Sequence, residues 1–356
     1  MSTIFGVCSD NHLHNWSAFS KVDPTTGLND RLTHILNTIE DAAKAVQSAG
    51  GSRLYFAGDL FHVRGSVSPT VLNPAIDLFK KIASTGVECR ILTGNHDLES
   101  RDSEALSSAC EALRTINGVK VVSDSQCFLD DKVAMVPWFD SMDRVRKEIE
   151  DILAYVAAEE HEWTLILHAP VNGVIAGIPD HGFWAAELAK HGFKNVFVGH
   201  YHNFKEFAGG VYSVGATTHQ TWSDVNTKAG YLIAKDGVVT HHESKAPKFV
   251  DFDLGWDIDE TIEHCAGNYI RVRLGEATDE EITFLRDHLT GLGAKGVVVQ
   301  AIPTVKTAAV TRTTAATGVT VRESISTWIK TAGLSGGADL EAVCEDILKE
   351  VEGVTV

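Results

Sequence analysis

Three aspartates, an asparagine and five histidines fall along the chain in short groups: Asp10-x-His12, Gly58-Asp59, Gly94-Asn95-His96-Asp97, His168 and Gly199-His200-Tyr201-His202. Carboxylate, amide and imidazole donors in this number can hold two transition-metal ions side by side. Such a pair, about 3.5–4 Å apart, is a standard device for hydrolysing phosphate esters. A lone Asp-x-His occurs by chance, and Gly-Asn-His-Asp alone could be only a turn. The joint occurrence of the groups, in order and each at the end of an apolar run, makes a metal-dependent hydrolase the reading to test.

Those runs are the elements that must position the donors. Ile4–Ser9 precedes Asp10, Arg53–Ala57 precedes Gly58-Asp59, and Cys89–Thr93 precedes Gly94-Asn95. Thr164–Leu167 delivers His168, and Val196–Val198 delivers His200 and His202. Continuous apolar runs of this length describe strands buried on both faces. Between them, Leu28–Ala49 (Leu32, Ile35, Leu36, Ile39, Val46) and Ser141–Ala158 (Val145, Ile149, Ile152, Val156) carry apolar residues at helical spacing. Strand-then-helix alternation predicts a layered α/β domain with ligands gathered at the carboxyl ends of strands.

On these motifs the chain resembles the calcineurin-like metallophosphoesterase superfamily from Ile4 to about Lys245. The resemblance implies a sandwich of central β-sheets flanked by helices. It assigns one metal to Asp10, His12, Asp59 and His202, and the second to Asp59, Asn95, His168 and His200, with Asp59 bridging. It makes His96 the residue that protonates or stabilises the leaving alkoxide, and His62 a residue that positions substrate phosphate. Asp97 either orients His96 or forms the turn. A donor set so rich in histidine suits two Mn2+ ions, or Fe2+ or Zn2+, and is a poor magnesium cage.

Within the superfamily the chain is similar to SbcD-type nucleases. The similarity rests on Gly58-Asp59-Leu60-Phe61-His62, on Tyr212–Ala216 followed by Trp222-Ser223-Asp224 and Gly230–Ile233, and on the C-terminal extension. It implies a 3′–5′ exonuclease and endonuclease acting on DNA in break repair or recombination, with an SbcC-type coiled-coil ATPase as partner. It also implies a homodimer through helices at Pro69–Ala83 and Ser103–Ile116, using Leu72, Ile76, Phe79, Leu106, Leu113 and Ile116; the same residues could equally be core. The chain departs from that family at Ala216, at Thr217-Thr218-His219 and at Asp224. His14, His219, His241 and His242 receive no ligand role and are read as surface or supporting residues.

The expected domains are a nuclease domain (1–247), an α+β capping domain (248–304), a linker (305–319) and a C-terminal helical ATPase-docking element (320–356). In the cap, Asp259–Ala266 and Thr278–Leu292 read as helices, and Tyr269–Leu274 and Gly296–Ile302 as strands. The chain has 44% hydrophobic and 22% charged residues, as an ordinary globular protein does. No apolar run reaches the roughly 18 residues of a membrane span, and the N-terminus lacks the basic region of a signal peptide. Six scattered cysteines without paired spacing predict reduced thiols in the cytoplasm. The formal charge of −17 speaks against strong intrinsic DNA affinity and leaves most of the DNA grip to a partner. A small-molecule or protein phosphodiesterase with the same metal site is the alternative.

Overall fold

A computed structural model of the chain describes residues 4–100, 107–275, 277–301, 327–329, 340 and 342–344. In chain order the main body contains β1 (Ile4–Cys8), α1 (Asp30–Ala49), β2 (Arg53–Phe56), α2 (Pro69–Ser84), β3 (Glu88–Leu92), β4 (Val119–Val122), β5 (Gln126–Phe128) and β6 (Val133–Val136). It continues with α3 (Met142–Val156), β7 (Thr164–His168), α4 (Ala185–Lys190), β8 (Asn195–Gly199), β9 (Lys205–Phe207), β10 (Val211–Ser213), β11 (Gly230–Lys235) and β12 (Val238–Glu243). One sheet runs β12-β11-β1-β2-β3-β4 and the other β5-β6-β7-β8-β10-β9. Strands β1 to β4 are mutually parallel, as are β6, β7, β8 and β10. Antiparallel strands close three of the four edges, and the parallel strand β4 forms the other.

The sheets face each other. Phe5, Val7, Tyr55 and Leu92 from one meet Met135, Ile166, Phe197 and Tyr212 from the other. Because strand side chains alternate, the intervening residues face outward. Cys8, Leu54 and Ile91 pack under α1 and α2, while Leu165, Leu167 and Val196 pack under α3 and α4. The result is a four-layer α/β/β/α sandwich. The donor-bearing strands β1, β2, β3, β7 and β8 are covered on both faces, which explains their unbroken apolar runs. Helix starts are fixed locally: the Asn29 side chain accepts from the Arg31 and Leu32 amides, and Ser141 accepts from Arg144. Helix α1 ends where Gly50 turns left-handed.

A smaller layer follows: β13 (Phe249–Asp251), α5 (Ile258–Cys265), β14 (Tyr269–Leu274), α6 (Asp279–Gly291) and β15 (Gly296–Ala301). Its sheet runs β13-β14-β15, with Ile270, Val272 and Val297 packed with Cys265 and Leu289 of the helices. Both helices open with a reciprocal capping box, Asp257 with Glu260 and Thr278 with Glu281. Residues 1–300 form one compact unit that includes this smaller layer, and residues 301–356 form a second. The expected linker and most of the C-terminal helices lie outside the described residues.

The helix expected over Ser103–Ile116 is not formed as such: its described part is a short 3-10 segment, Ala109–Leu113. Ser108 caps that segment, and its turn is too tight to continue as an α-helix. Phe79, Leu113 and Ile116 are core residues of this chain, leaving Leu72 and Ile76 half-buried at its edge; Leu106 lies outside the described residues. Among the described residues no helix is long and apolar enough to cross a membrane. All six cysteines are free thiols.

Candidate metal centre

The parallel strands of both sheets present their carboxyl ends to one edge. From the first sheet, β1, β2 and β3 deliver Asp10 with His12, Asp59, and Asn95 with His96; from the second, β7 and β8 deliver His168 and then His200 with His202. Backbone hydrogen bonds zip the first two loops together: Asp10 N to Gly58 O, His12 N to Asp59 O and Leu13 N to Leu60 O, at 2.8–3.1 Å. The His200 amide donates to both Asp10 oxygens at 3.1 Å, and the His96 amide to Asp59 Oδ1 at 2.8 Å.

Asp10, His12 and Asp59 all have φ between +46° and +52°. Left-handed backbone at a non-glycine residue costs on the order of 1–3 kcal/mol and persists where surrounding contacts overdetermine it. Here the strain turns three donors to one point. Gly58 is required beside them: at φ +100° a Cβ there would overlap the His168 ring.

The donors form two corners. In one, His12 Nε2 and His202 Nε2 face each other at 3.2 Å, with Asp10 beside them. In the other, Asn95 Oδ1 lies 3.1 Å from His168 Nε2 and 3.0 Å from His200 Nδ1. Asp59 Oδ2 sits between, 3.7 Å from His12 Nε2 and 3.4 Å from His168 Nε2. Asp10 approaches the second corner too, grouping with Asp59 and His168.

The tautomers fit metal binding. His168 Nδ1–H donates to the Ala57 carbonyl at 2.7 Å, and His202 Nδ1–H donates to Asp224 Oδ1 at 3.1 Å. In the neutral ring, each bond leaves the inward nitrogen with a lone pair. Two lone pairs face to face, with an amide oxygen and carboxylates around them, are a donor set suited to cations.

Electrostatics agree. Burial opposes ionisation of Asp59, but His168, His12 and His96 together hold its carboxyl far below the usual range. Burial and the Asp59 charge push Asp10 up, although neighbouring imidazoles oppose this. Burial disfavours charge on His168, yet Asp59, Asp10 and the Ala57 carbonyl raise it to about 9. Burial and His168 drive His200 down to about 3.

Outside the corners, His62 Nδ1 lies 3.2 Å from His12 Nδ1, and its ring stacks on His96 at 5.5 Å. His96 Nδ1–H donates to the His62 carbonyl at 2.9 Å, which fixes Nε2 as its free nitrogen. Asp97 does not orient that imidazole. Its carboxylate accepts from the Leu60, Phe61 and Gly94 amides at 2.8–3.3 Å and so pins the second loop to the third. Of the two roles read from sequence, the structure therefore supports the turn-forming one.

Residues 4–204, more than half of the chain, match the calcineurin-like phosphoesterase family. The chain belongs to that family. Members bind divalent metals, and the donor set above is where this calcineurin-like phosphoesterase would hold them. The chain is also similar to "Exonuclease subunit 1" of Enterobacteria phage T4, with 24% identity over 182 residues covering 49% of this chain. It spans about half (50%) of that relative's length. Similar solved structures include the protein TT1561 of Thermus thermophilus, at 10% identity and TM-score 0.42, covering 69% of this chain and 100% of that one. A dimetal phosphatase from Danio rerio follows at 10% identity and TM-score 0.41, covering 68% and 99%.

Several residues of this phosphoesterase's centre escaped the sequence reading. Asp224, which orients His202, belongs to the Trp222-Ser223-Asp224 group, but 22 residues separate it from its partner. Trp138 stacks on His200 at 5.3 Å and 19°. It follows β6 just as the ligands follow their strands, and that shared position was the available signal. Gln220 Nε2 holds the Asp10 carbonyl at 2.8 Å, and Arg64 Nε holds the Asn95 carbonyl at 2.9 Å. His219, read as surface or supporting, is buried and bonds the Phe249 amide and the Thr227 carbonyl. His241 and His242 lie on β12, packed on Phe204 and Tyr231.

Proposed function

We propose that this calcineurin-like phosphoesterase is a two-metal-dependent DNA nuclease of SbcD type, an exonuclease and endonuclease. In this reading it works with an SbcC-type ATPase in break repair or recombination, carries Mn2+, and acts as a cytoplasmic homodimer. Residues 248–304 would be a cap over the metal edge and residues 320–356 the docking element. The observation that carries the reading is the similarity to the phage exonuclease subunit, in a chain whose seven candidate ligands converge on one point.

When bound, the two ions supply Lewis acidity at the phosphoryl oxygens and an activated water. The chain's own residues do the rest. His12, with Nε2 turned to the metal corner, donates its Nδ1–H to His62, which leaves His62 Nε2–H to hold a phosphoryl oxygen. His96 Nε2, left free by the Nδ1 bond to the His62 carbonyl, would protonate the leaving alkoxide or stabilise its charge. Trp138 closes the opposite side against His200.

A net charge of −17 favours the second reading, a phosphodiesterase or phosphatase on small molecules or proteins. The discriminating assay uses end-labelled duplex and single-stranded DNA with Mn2+, beside a small chromogenic phosphodiester, for wild type and His96→Ala. DNA cleavage lost in the variant supports the nuclease. Turnover of the small ester alone, with DNA uncut even when an SbcC-type ATPase is added, supports the second reading.

A further inference from the structure

Arg31, in the first turn of α1, is 5% exposed, and its guanidinium has no carboxylate partner among the described ion pairs. A buried unpaired charge is expensive, and an apolar side chain would fill the same space at lower cost. What surrounds it is specific. The Trp16, Phe249 and Tyr269 rings lie 5.3, 5.1 and 5.6 Å from the guanidinium carbon. Its N–H groups donate to the Gln220 carbonyl at 2.5 Å, Ala18 at 3.3 Å and His219 at 3.4 Å.

Two of those rings, Phe249 and Tyr269, belong to β13 and β14 of the cap. The other contacts lead to one metal corner. Gln220, whose carbonyl Arg31 holds, bonds the Asp10 carbonyl through Nε2 and donates its backbone N–H to the Asp224 carboxylate, 2.7 Å away. Asp224 in turn orients His202. Trp16 donates Nε1–H to the His12 carbonyl at 3.3 Å and packs 4.4 Å from the His62 ring. Asp10, His12 and His202 are thus each one residue or two from the guanidinium. Of the other corner's donors, His200 reaches the guanidinium only through Asp10, whose carboxylate its backbone amide and not its ring holds. Asn95 and His168 have no hydrogen-bonded link of one or two residues to it among the described contacts. The cap adds its own grip on the same segments: Phe19 stacks on Tyr269 at 5.3 Å, and Trp222 meets Phe249 at 4.7 Å.

We propose that Arg31 is a positioning residue that makes docking of the cap and assembly of the Asp10–His12–His202 corner a single event, while the Asn95–His168–His200 corner forms without it. The proposal rests on the two-metal reading of the centre, not on the choice of substrate.

The test is Mn2+ binding to the full chain, by calorimetry and electron paramagnetic resonance. Wild type should bind two ions. Arg31→Met should keep one at wild-type affinity and weaken the other about tenfold or more, the size of a lost supporting contact at a metal site. The ion affected should be the one lost in His202→Ala, so the double variant should bind no worse than His202→Ala alone. If Arg31→Met does not fold, Tyr269→Leu, which alters the cap side of the contact and leaves every metal donor in place, should produce the same one-sided weakening. Unchanged affinity for both ions in a folded variant, or equal weakening of both, would overturn the proposal. No Mn2+ binding by wild type would instead remove the two-metal reading itself, and the proposal with it.

Discussion

Asp224 Oδ1 takes the Nδ1–H of His202 across 3.1 Å, so the His202 nitrogen that faces His12 is a lone pair. The same carboxylate accepts from the Gln220 and Thr221 amides through Oδ2, which fixes its own orientation. One aspartate outside the five donor groups therefore sets the tautomer of a candidate metal ligand. Asp224→Ala is expected to weaken metal binding about 10–100-fold. Asp224→Asn, which keeps an acceptor, should lose less. Mn2+ titration of the two variants checks this, and equal affinity in Asp224→Ala and wild type would contradict the role.

His168 predicts proton-linked metal binding. Burial opposes its charge, but Asp59 raises it to about 9, so near neutral pH the metal-free ring is protonated. A cation must displace that proton, and affinity should climb with pH until about 9. Calorimetry in buffers of different ionisation enthalpy should register roughly one proton released near pH 7. In the metal-free protein the raised pKa stabilises the fold below the ordinary value of 6.5, a contribution lost as pH rises through about 9.

Asp97 should behave as a fold residue. Asp97→Ala strands three buried amides, Leu60, Phe61 and Gly94, each costing about 1–3 kcal/mol. Denaturant unfolding should show a loss of at least about 2 kcal/mol. Wild-type stability combined with a shifted pH–rate profile would instead restore the role of orienting His96.

His96→Ala should leave Mn2+ stoichiometry intact, because His96 Nδ1 is taken up by the His62 carbonyl and the seven candidate ligands stay in place. Its kcat should fall about 10²–10⁴-fold, the usual loss for a general acid. Lost metal in this variant would place His96 among the ligands.

Chelation offers an independent reading. Removing the ions leaves Asp10 and Asp59 buried beside one another, with no cation between them. Thermal unfolding with EDTA should therefore occur at lower temperature than with Mn2+, and the gap should grow with metal concentration. Identical midpoints would argue that the centre holds no ion.

The residues that could bind metal were legible because their types are rare in apolar surroundings and each closes a run that only a doubly covered strand explains. Helices α1 and α3 were legible from their apolar spacing. The three- and four-residue strands β4, β5 and β6 were not, since runs that short carry no usable period. Trp138 was missed along with β6. Sequence alone thus determined the layered α/β class and offered a candidate donor set in its order, because those depend on side-chain chemistry and local periodicity. Only the tertiary structure decided which carboxylate orients which imidazole, that Asp97 pins loops instead of His96, and that Arg31 touches both cap and metal loops. Those relationships join residues such as Asp10 and Gln220, 210 positions apart, and only the folded packing brings them within hydrogen-bonding reach.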